Sequence, residues 1–333
     1  MRSSRALACT AAVLIAALPA SAQAQQQAQG FDLERLYTSA PGAGWFVMDT
    51  LDMHGDLGGA VSAITSYAHD PLRITDGHQT LAVVSDEAFL QLGFAGTYDR
   101  FRVYATFDSP LLVHGNSGSI GGYSFNGPSV DLGSAPDAIS NGRIGFDTRL
   151  VGDHDGKFRL GLGVQLWFPG GAPGALTTNY LSDGPPTGSL GAYNAMARVL
   201  FAGDVGMFTY AGQVGFNLRT VDDSPTPGSP RGSEALFGGA GGVRLSICAT
   251  CDESLVLGPE VYGETAVRSF FGPDTTALEA LLSGRVEGTA ERGPKLRFKL
   301  GVGGGLDARF GAPEWRAVFG IELFDRHTGG TAP

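Results

Sequence analysis

From about residue 57 the chain proceeds in two-residue steps. In 158–168, Phe158, Leu160, Leu162, Val164, Leu166 and Phe168 alternate with Arg159, Gly161, Gly163, Gln165 and Trp167. In 208–219, Phe208, Tyr210, Val214, Phe216 and Leu218 alternate with Thr209, Gln213, Asn217 and Arg219. KLRFKLGVGGGLD, residues 295–307, sets Leu296, Phe298, Leu300, Val302 and Leu306 against Lys295, Arg297, Lys299 and Asp307. A period of two puts successive side chains on opposite faces of a strand, so each run has one apolar and one polar face. Twelve such strands are predicted, near 57–69, 87–98, 101–108, 142–151, 158–168, 193–202, 208–219, 233–247, 255–269, 276–290, 295–308 and 315–325. Most are longer than the five or six residues usual in soluble sheets. They suit the roughly 9–11 residues of a tilted membrane strand. Long and short connections alternate through the first eight, as membrane barrels do with their extracellular loops and periplasmic turns. The expected fold is all-β, a closed antiparallel up-and-down transmembrane β-barrel of about twelve strands, or fourteen if a loop segment also pairs.

The polar faces carry many charges: Arg102, Arg143, Asp147, Arg149, Arg159, Arg198, Arg219, Glu260, Glu264, Arg268, Glu279, Arg285, Glu287, Lys295, Arg297, Lys299, Asp307, Arg316 and Glu322. Arg or Lys at mid-depth in lipid costs about 2–4 kcal/mol, so a barrel must turn this face to its lumen. Two readings stay open. The charges line a path that selects solutes, or they pair with one another and seal a small barrel. Twelve strands lie between filled eight-strand barrels and open sixteen-strand porins, so size does not choose between them. Glycines within the strands, such as 161, 163, 212, 215, 301 and 303–305, are expected to relieve crowding at barrel bends.

The first residues differ in kind. MRSSRALACTAAVLIAALPASAQAQ has Arg2 and Arg5, an apolar core from Ala6 to Leu18, and Ala20-Ser21-Ala22 and Ala22-Gln23-Ala24 as small-residue cleavage sites. That is the pattern of a secretory signal peptide, assigned to 1–24. No other stretch approaches the ~20 apolar residues of a spanning helix. Residues 25–54 are expected on the periplasmic side, with a place inside the barrel as a plug as the further option. The barrel is assigned to 55–326 and a tail to 327–333.

Composition narrows the function. Charged residues make up 17% of the chain, below the roughly 25% of ordinary soluble domains. A formal net charge of −10 opposes binding to the phosphate backbone, so nucleic acid is not an expected partner. Cys248 and Cys251, in CATC, lack the helix N-terminus that a redox pair would use and are expected to form a structural disulfide. GDHDGK, residues 152–157, contains only a fragment of a calcium loop and reads as a turn. The six histidines show no zinc spacing and there is no Gly-x-Ser-x-Gly elbow, so no metal, cofactor or enzymatic activity is expected.

In GWFVMDTLDMHG, FRVYATFDSPLLVHG, VLFAGDVGMFTYAGQVGFNLR, PGSPRGSEALFGGAGGVR and GAPEWRAVFGIELFD, the sequence resembles the N-terminal β-barrel of OmpA-family outer-membrane proteins, over about Phe31 to Asp325. The resemblance implies an outer-membrane barrel. The peptidoglycan-binding domain that follows many such barrels has no counterpart after FDRHTGGTAP, so a cell-wall tether is not expected. The leading expectation is a porin-like channel for small hydrophilic solutes. A sealed structural barrel presenting 109–141 and 169–192, and a membrane-embedded enzyme, are the alternatives. Outer-membrane lipid and the barrel-assembly machinery are the expected partners.

Overall fold

The computed structural model describes residues 26–27, 35–53, 57–131, 141–168, 194–219, 232–247, 253–272, 275–288, 294–307 and 311–325. Twelve long strands form one sheet: β1 (Gly58–Thr75), β2 (Thr80–Tyr98), β3 (Phe101–His114), β4 (Asn141–Val151), β5 (Arg159–Phe168), β6 (Asn194–Val205), β7 (Phe208–Arg219), β8 (Glu234–Ser246), β9 (Glu253–Ala266), β10 (Thr276–Gly288), β11 (Lys295–Asp307) and β12 (Trp315–Asp325). Each pairs antiparallel with its neighbours in sequence. The last pairs with the first, from Trp315 opposite His69 to Asp325 opposite Gly59. The sheet is therefore a closed twelve-strand barrel without a free edge, which disposes of the unpaired backbone groups that an edge would expose.

Alternation along each strand separates two environments. Leu296, Phe298, Leu300, Val302 and Leu306 of β11 point out and are exposed, and so are Val103, Phe146, Val164, Val214, Leu282 and Phe319 on other strands. Arg297, Lys299, Arg316 and Glu322 point in and are buried. The outward apolar belt is far more continuous than the scattered patches of a soluble monomer.

Three features depart from the sequence expectations. The first two strands are longer than predicted. Residues 70–86, expected as a loop, extend β1 and β2 into a hairpin whose turn lies at 76–79, with register shifts between His69 and Arg73. Within the expected loop 109–141, β3 continues to His114, and short strands occupy Gly118–Ile120, Tyr123–Phe125 and Ser129–Val130. Leu72, Val83, Val84, Phe89 and Val113 pack with Ile120, Phe125 and Val130 into a second small core beyond one mouth of the barrel. Finally, β9 ends at Ala266 and Val267–Ser269 form a single 3₁₀ turn. Arg268 leaves the strand register there and is exposed on that turn, not in the lumen.

Residues 35–53 run through the barrel itself. Arg35 lies at the mouth with the longer connections, where it meets Glu234 and Glu264 at the adjoining ends of β8 and β9. Met53 lies at the opposite mouth, where its carbonyl accepts from Arg149 Nη2 at 2.8 Å. The segment thus spans the lumen and is not confined to the short-turn side, because charged wall residues hold it at both mouths.

Candidate functional site

The site is the contact between this inner segment and the barrel wall. Its apolar part is Leu36, Trp45, Phe46, Val47 and Met48, packed against Ile64, Ala202, Ala240, Val256, Leu281 and Val318 from around the wall. The charged heads of a lysine and an arginine complete the seat. Lys299 Nζ lies 5.0 Å from the centre of the Phe46 ring, and the Arg285 guanidinium carbon 4.7 Å from that of Trp45, both cation–π distances. Glycine makes room for the segment. A methyl group built on Gly301 would lie 3.0 Å from the Phe46 ring, and one on Gly242 would lie 2.8 Å from Trp45. Gly301 and Gly242 thus form sockets for the plug.

The polar part has three tiers. At the long-loop mouth, Arg35 Nη2 donates to Glu234 at 2.6 Å and Arg35 Nε donates to Glu264. In the middle, the Glu260 carboxylate accepts the backbone N–H groups of Phe46 at 3.0 Å, Val47 at 2.9 Å and Met48 at 3.4 Å, and the Ser283 hydroxyl at 2.6 Å. Arg143 donates to the Thr38 carbonyl at 2.7 Å and to Thr106 Oγ1 at 2.9 Å. Lys299 donates to Glu322 at 2.8 Å and approaches the Trp45 carbonyl at 3.4 Å. Nearer the short-turn mouth, Asp49 of the plug accepts from Arg102, which also reaches Asp147 at 2.9 Å; Arg198 meets the other Asp147 oxygen at 3.0 Å. Opposite charges so placed offset much of the cost of burying them away from bulk water.

Most of the predicted lumen charges belong to this network or to wall pairs beside it. Arg297 joins Glu287 at 2.6 Å and Glu322 at 2.7 Å. Arg316 joins Glu279 at 2.9 Å, and Arg285 lies 3.4 Å from Glu287. Arg159 reaches Asp204 at 2.5 Å. Lys295, at the start of β11, is half-buried. Cys248 and Cys251 lie outside the described residues. The structure adds participants that period-two reading could not find. Arg35 and Asp49 lie in a segment without strand periodicity, and Asp204 lies past the predicted strand 193–202.

The lumen is closed around the plug. A water-filled bore would leave its lining side chains wet, yet Glu260 and Asp49 are 0% exposed and Arg102, Arg143 and Arg316 are 1% exposed. Small, partly open clefts remain, one against Arg35, Tyr37, Val47, Leu236 and Glu264 and one against Trp45, Glu260, Ser283 and Lys299.

A separate group lies on the outer wall near the long-loop mouth. His69, Asp70 and Glu314 present ligand-type atoms within 4.8 Å of one another. Their neighbours already engage them: Asp86 meets His69 Nδ1 at 3.0 Å and Arg73 meets Glu314 at 3.3 Å. At the hairpin tip, the backbone N–H groups of Gln79 and His78 donate to Asp76 and hold its carboxyl below the usual carboxylate range.

No family model and no curated protein sequence matches this chain. Among solved structures, it is similar to an outer membrane channel from Pseudomonas putida F1, with 14% identity over 82% of this chain and 95% of that one and a TM-score of 0.45. The NanC porin gives 7% identity over 80% and 99%, with a TM-score of 0.44. The CymD monoaromatic hydrocarbon channel gives 11% over 89% and 99%, with a TM-score of 0.43.

Proposed function

We propose that this protein is an outer-membrane β-barrel of the channel class, closed by its own segment 35–53 and passing small hydrophilic solutes when that segment leaves the lumen. One observation carries the reading: wall charges in the lumen hold the plug largely through its backbone. Glu260 accepts its N–H groups, and Arg143, Arg149 and Lys299 approach its carbonyls. Water offers the same donors and acceptors. When the plug moves, the wall it uncovers is charged and hydratable, a lining suited to ions and polar solutes.

The outward belt supports the membrane part of the reading. Its exposed Leu, Val, Phe and Ile side chains would be a large aggregation liability in water and are matched by lipid. The outer membrane is then the site of action, with 1–24 as the export signal and the barrel-assembly machinery inserting the sheet. The OmpA-family phrases in the sequence accord with this class. The lumen's ionised groups are committed to one another and to the plug, an arrangement that serves holding and release more than turnover of a substrate. The glycine sockets and apolar seat favour a second reading, a permanently sealed barrel.

Planar-bilayer recording of folded, purified protein separates the two. The intact protein is expected to be nearly silent. Glu260→Ala is expected to show frequent discrete openings. If that variant stays silent while protease cuts within 35–53, the channel reading fails and the sealed barrel stands.

A further inference from the structure

We infer that the polypeptide threads its own barrel from the cell surface to the periplasm, so that Gln26 and Gln27 lie outside the cell. The sidedness rests on the outer-membrane reading above; the threading rests on geometry alone.

Three sets of contacts fix the path. Gln26 and Gln27 pair in parallel with Tyr123 and Ser124, in the connection between β3 and β4. That connection lies at the mouth of the longer loops. Arg35 is anchored at the same mouth by Glu234 and Glu264. The chain then descends past Glu260, Arg102 and Arg149 to Met53. It enters β1 at Gly58, at the opposite mouth, where β12 also ends at Asp325. The nineteen residues 35–53 can span at most about 60–70 Å when extended, at roughly 3.3–3.6 Å each, ample for a bilayer core of about 30 Å.

Membrane barrels put short turns in the periplasm and long loops outside. The short turns here, at 99–100 and 206–207, lie at the Gly58 mouth. Gln26 and Gln27 therefore lie outside, beside Tyr123 and Ser124. An even-stranded barrel would ordinarily leave both flanks of the sheet in the periplasm. Here the N-terminal flank returns through the lumen. One consequence is an order of events. The N-terminal flank can take this path only after it is released from the inner membrane, so signal cleavage precedes plug seating.

Single-cysteine variants test the path, in a background with Cys9, Cys248 and Cys251 changed to serine. Gln27→Cys reports the N-terminal flank, His78→Cys the exposed hairpin tip, and Arg100→Cys the exposed tight turn at the other mouth. Each variant is first shown to be folded by heat-modifiable migration. Intact cells are treated with a membrane-impermeant maleimide, before and after outer-membrane permeabilisation. Gln27→Cys and His78→Cys are expected to label on intact cells at least tenfold above Arg100→Cys. Labelling of Gln27→Cys only after permeabilisation, with His78→Cys already labelled, overturns the inference. In detergent, a short bismaleimide is expected to join Gln27→Cys to Ser124→Cys, and failure to cross-link overturns the threading itself. Efficient cross-linking with His78 and Arg100 equally accessible on cells upholds the threading and overturns the outer-membrane orientation instead.

Discussion

Replacing Glu260 with alanine tests the plug at its centre. The carboxylate is fully buried and accepts the Phe46 and Val47 N–H groups at 3.0 and 2.9 Å and the Ser283 hydroxyl at 2.6 Å. Without it, these three donors are stranded in a closed lumen. Each unmet buried donor costs about 1–3 kcal/mol. Taking the low end, the closed state loses about 3 kcal/mol relative to one in which the plug has left and water meets the same groups. At 1.4 kcal/mol per decade, that is roughly a 150-fold shift toward release. The third N–H, Met48 at 3.4 Å, adds little because the bond is long. Amide hydrogen exchange at Phe46 and Val47 in detergent reads this shift directly. The barrel ladder does not use the Glu260 side chain, so heat-modifiable migration is expected to persist. Glu260→Gln keeps an acceptor and is expected to retain much of the protection. Exchange in Glu260→Ala within about threefold of the parent protein would refute the reasoning, because it would mean that these bonds do not hold the plug.

The other expectations concern the belt, the seat, the ion pairs and the hairpin. Leu300→Arg, on the outward face, is expected to cost about 2–4 kcal/mol of membrane folding; a bilayer folding titration checks this, and no loss would contradict the assigned face. Gly301→Leu is expected to displace Phe46 and raise protease cutting within 35–53 while leaving the barrel folded; an uncut plug would count against the socket. Lys299→Met leaves Glu322 with Arg297 alone and is expected to destabilise the barrel by less than the roughly 3–5 kcal/mol of a carboxylate left wholly unpaired. Lys299→Met with Glu322→Gln should recover most of that by denaturant unfolding, and no recovery would refute the pairing. The depressed carboxyl at Asp76 implies a contribution to the hairpin tip that is complete above the ordinary Asp value and is lost as pH falls through the lower folded value. NMR titration of His78 and Gln79 amides against Asp76→Asn reads it, and a tip unchanged by acid would dispose of it.

The strands were legible because a barrel wall presents lipid on one side and a polar lumen on the other, so each residue reports its face. KLRFKLGVGGGLD is the clear case: Leu300 is exposed and Lys299 buried, as alternation requires. Legibility fails where that contrast disappears. Val83 and Val84 are consecutive and both buried, because the small core beyond the mouth takes in both, so no alternation marks this segment as a strand. Trp45, Phe46, Val47 and Met48 show no period because the wall surrounds them on every side. At Arg268 the reason is simpler: the strand expected over 255–269 stops at Ala266, and Val267–Ser269 turn out of its register. Partners on neighbouring strands follow from the alternation, as with Arg297, Glu287 and Glu322; Arg35 and Asp49 escape it because they approach from the lumen, not along the sheet.

The seam between β1 and β12 bears on how the barrel is built. Its two strands come from opposite ends of the sheet's sequence, so closing it requires nearly the whole chain and carries a large loop-closure cost. Residues 35–53 touch β3 through Arg102, β4 through Arg143, β9 through Glu260 and β11 through Lys299. They can therefore act as a mandrel: a rod around which an open sheet curls, gathering distant strands before the seam meets. On this view the plug shapes the barrel during assembly before it ever closes a pore, and a chain with a damaged rod should close its seam more slowly even where the finished wall is sound.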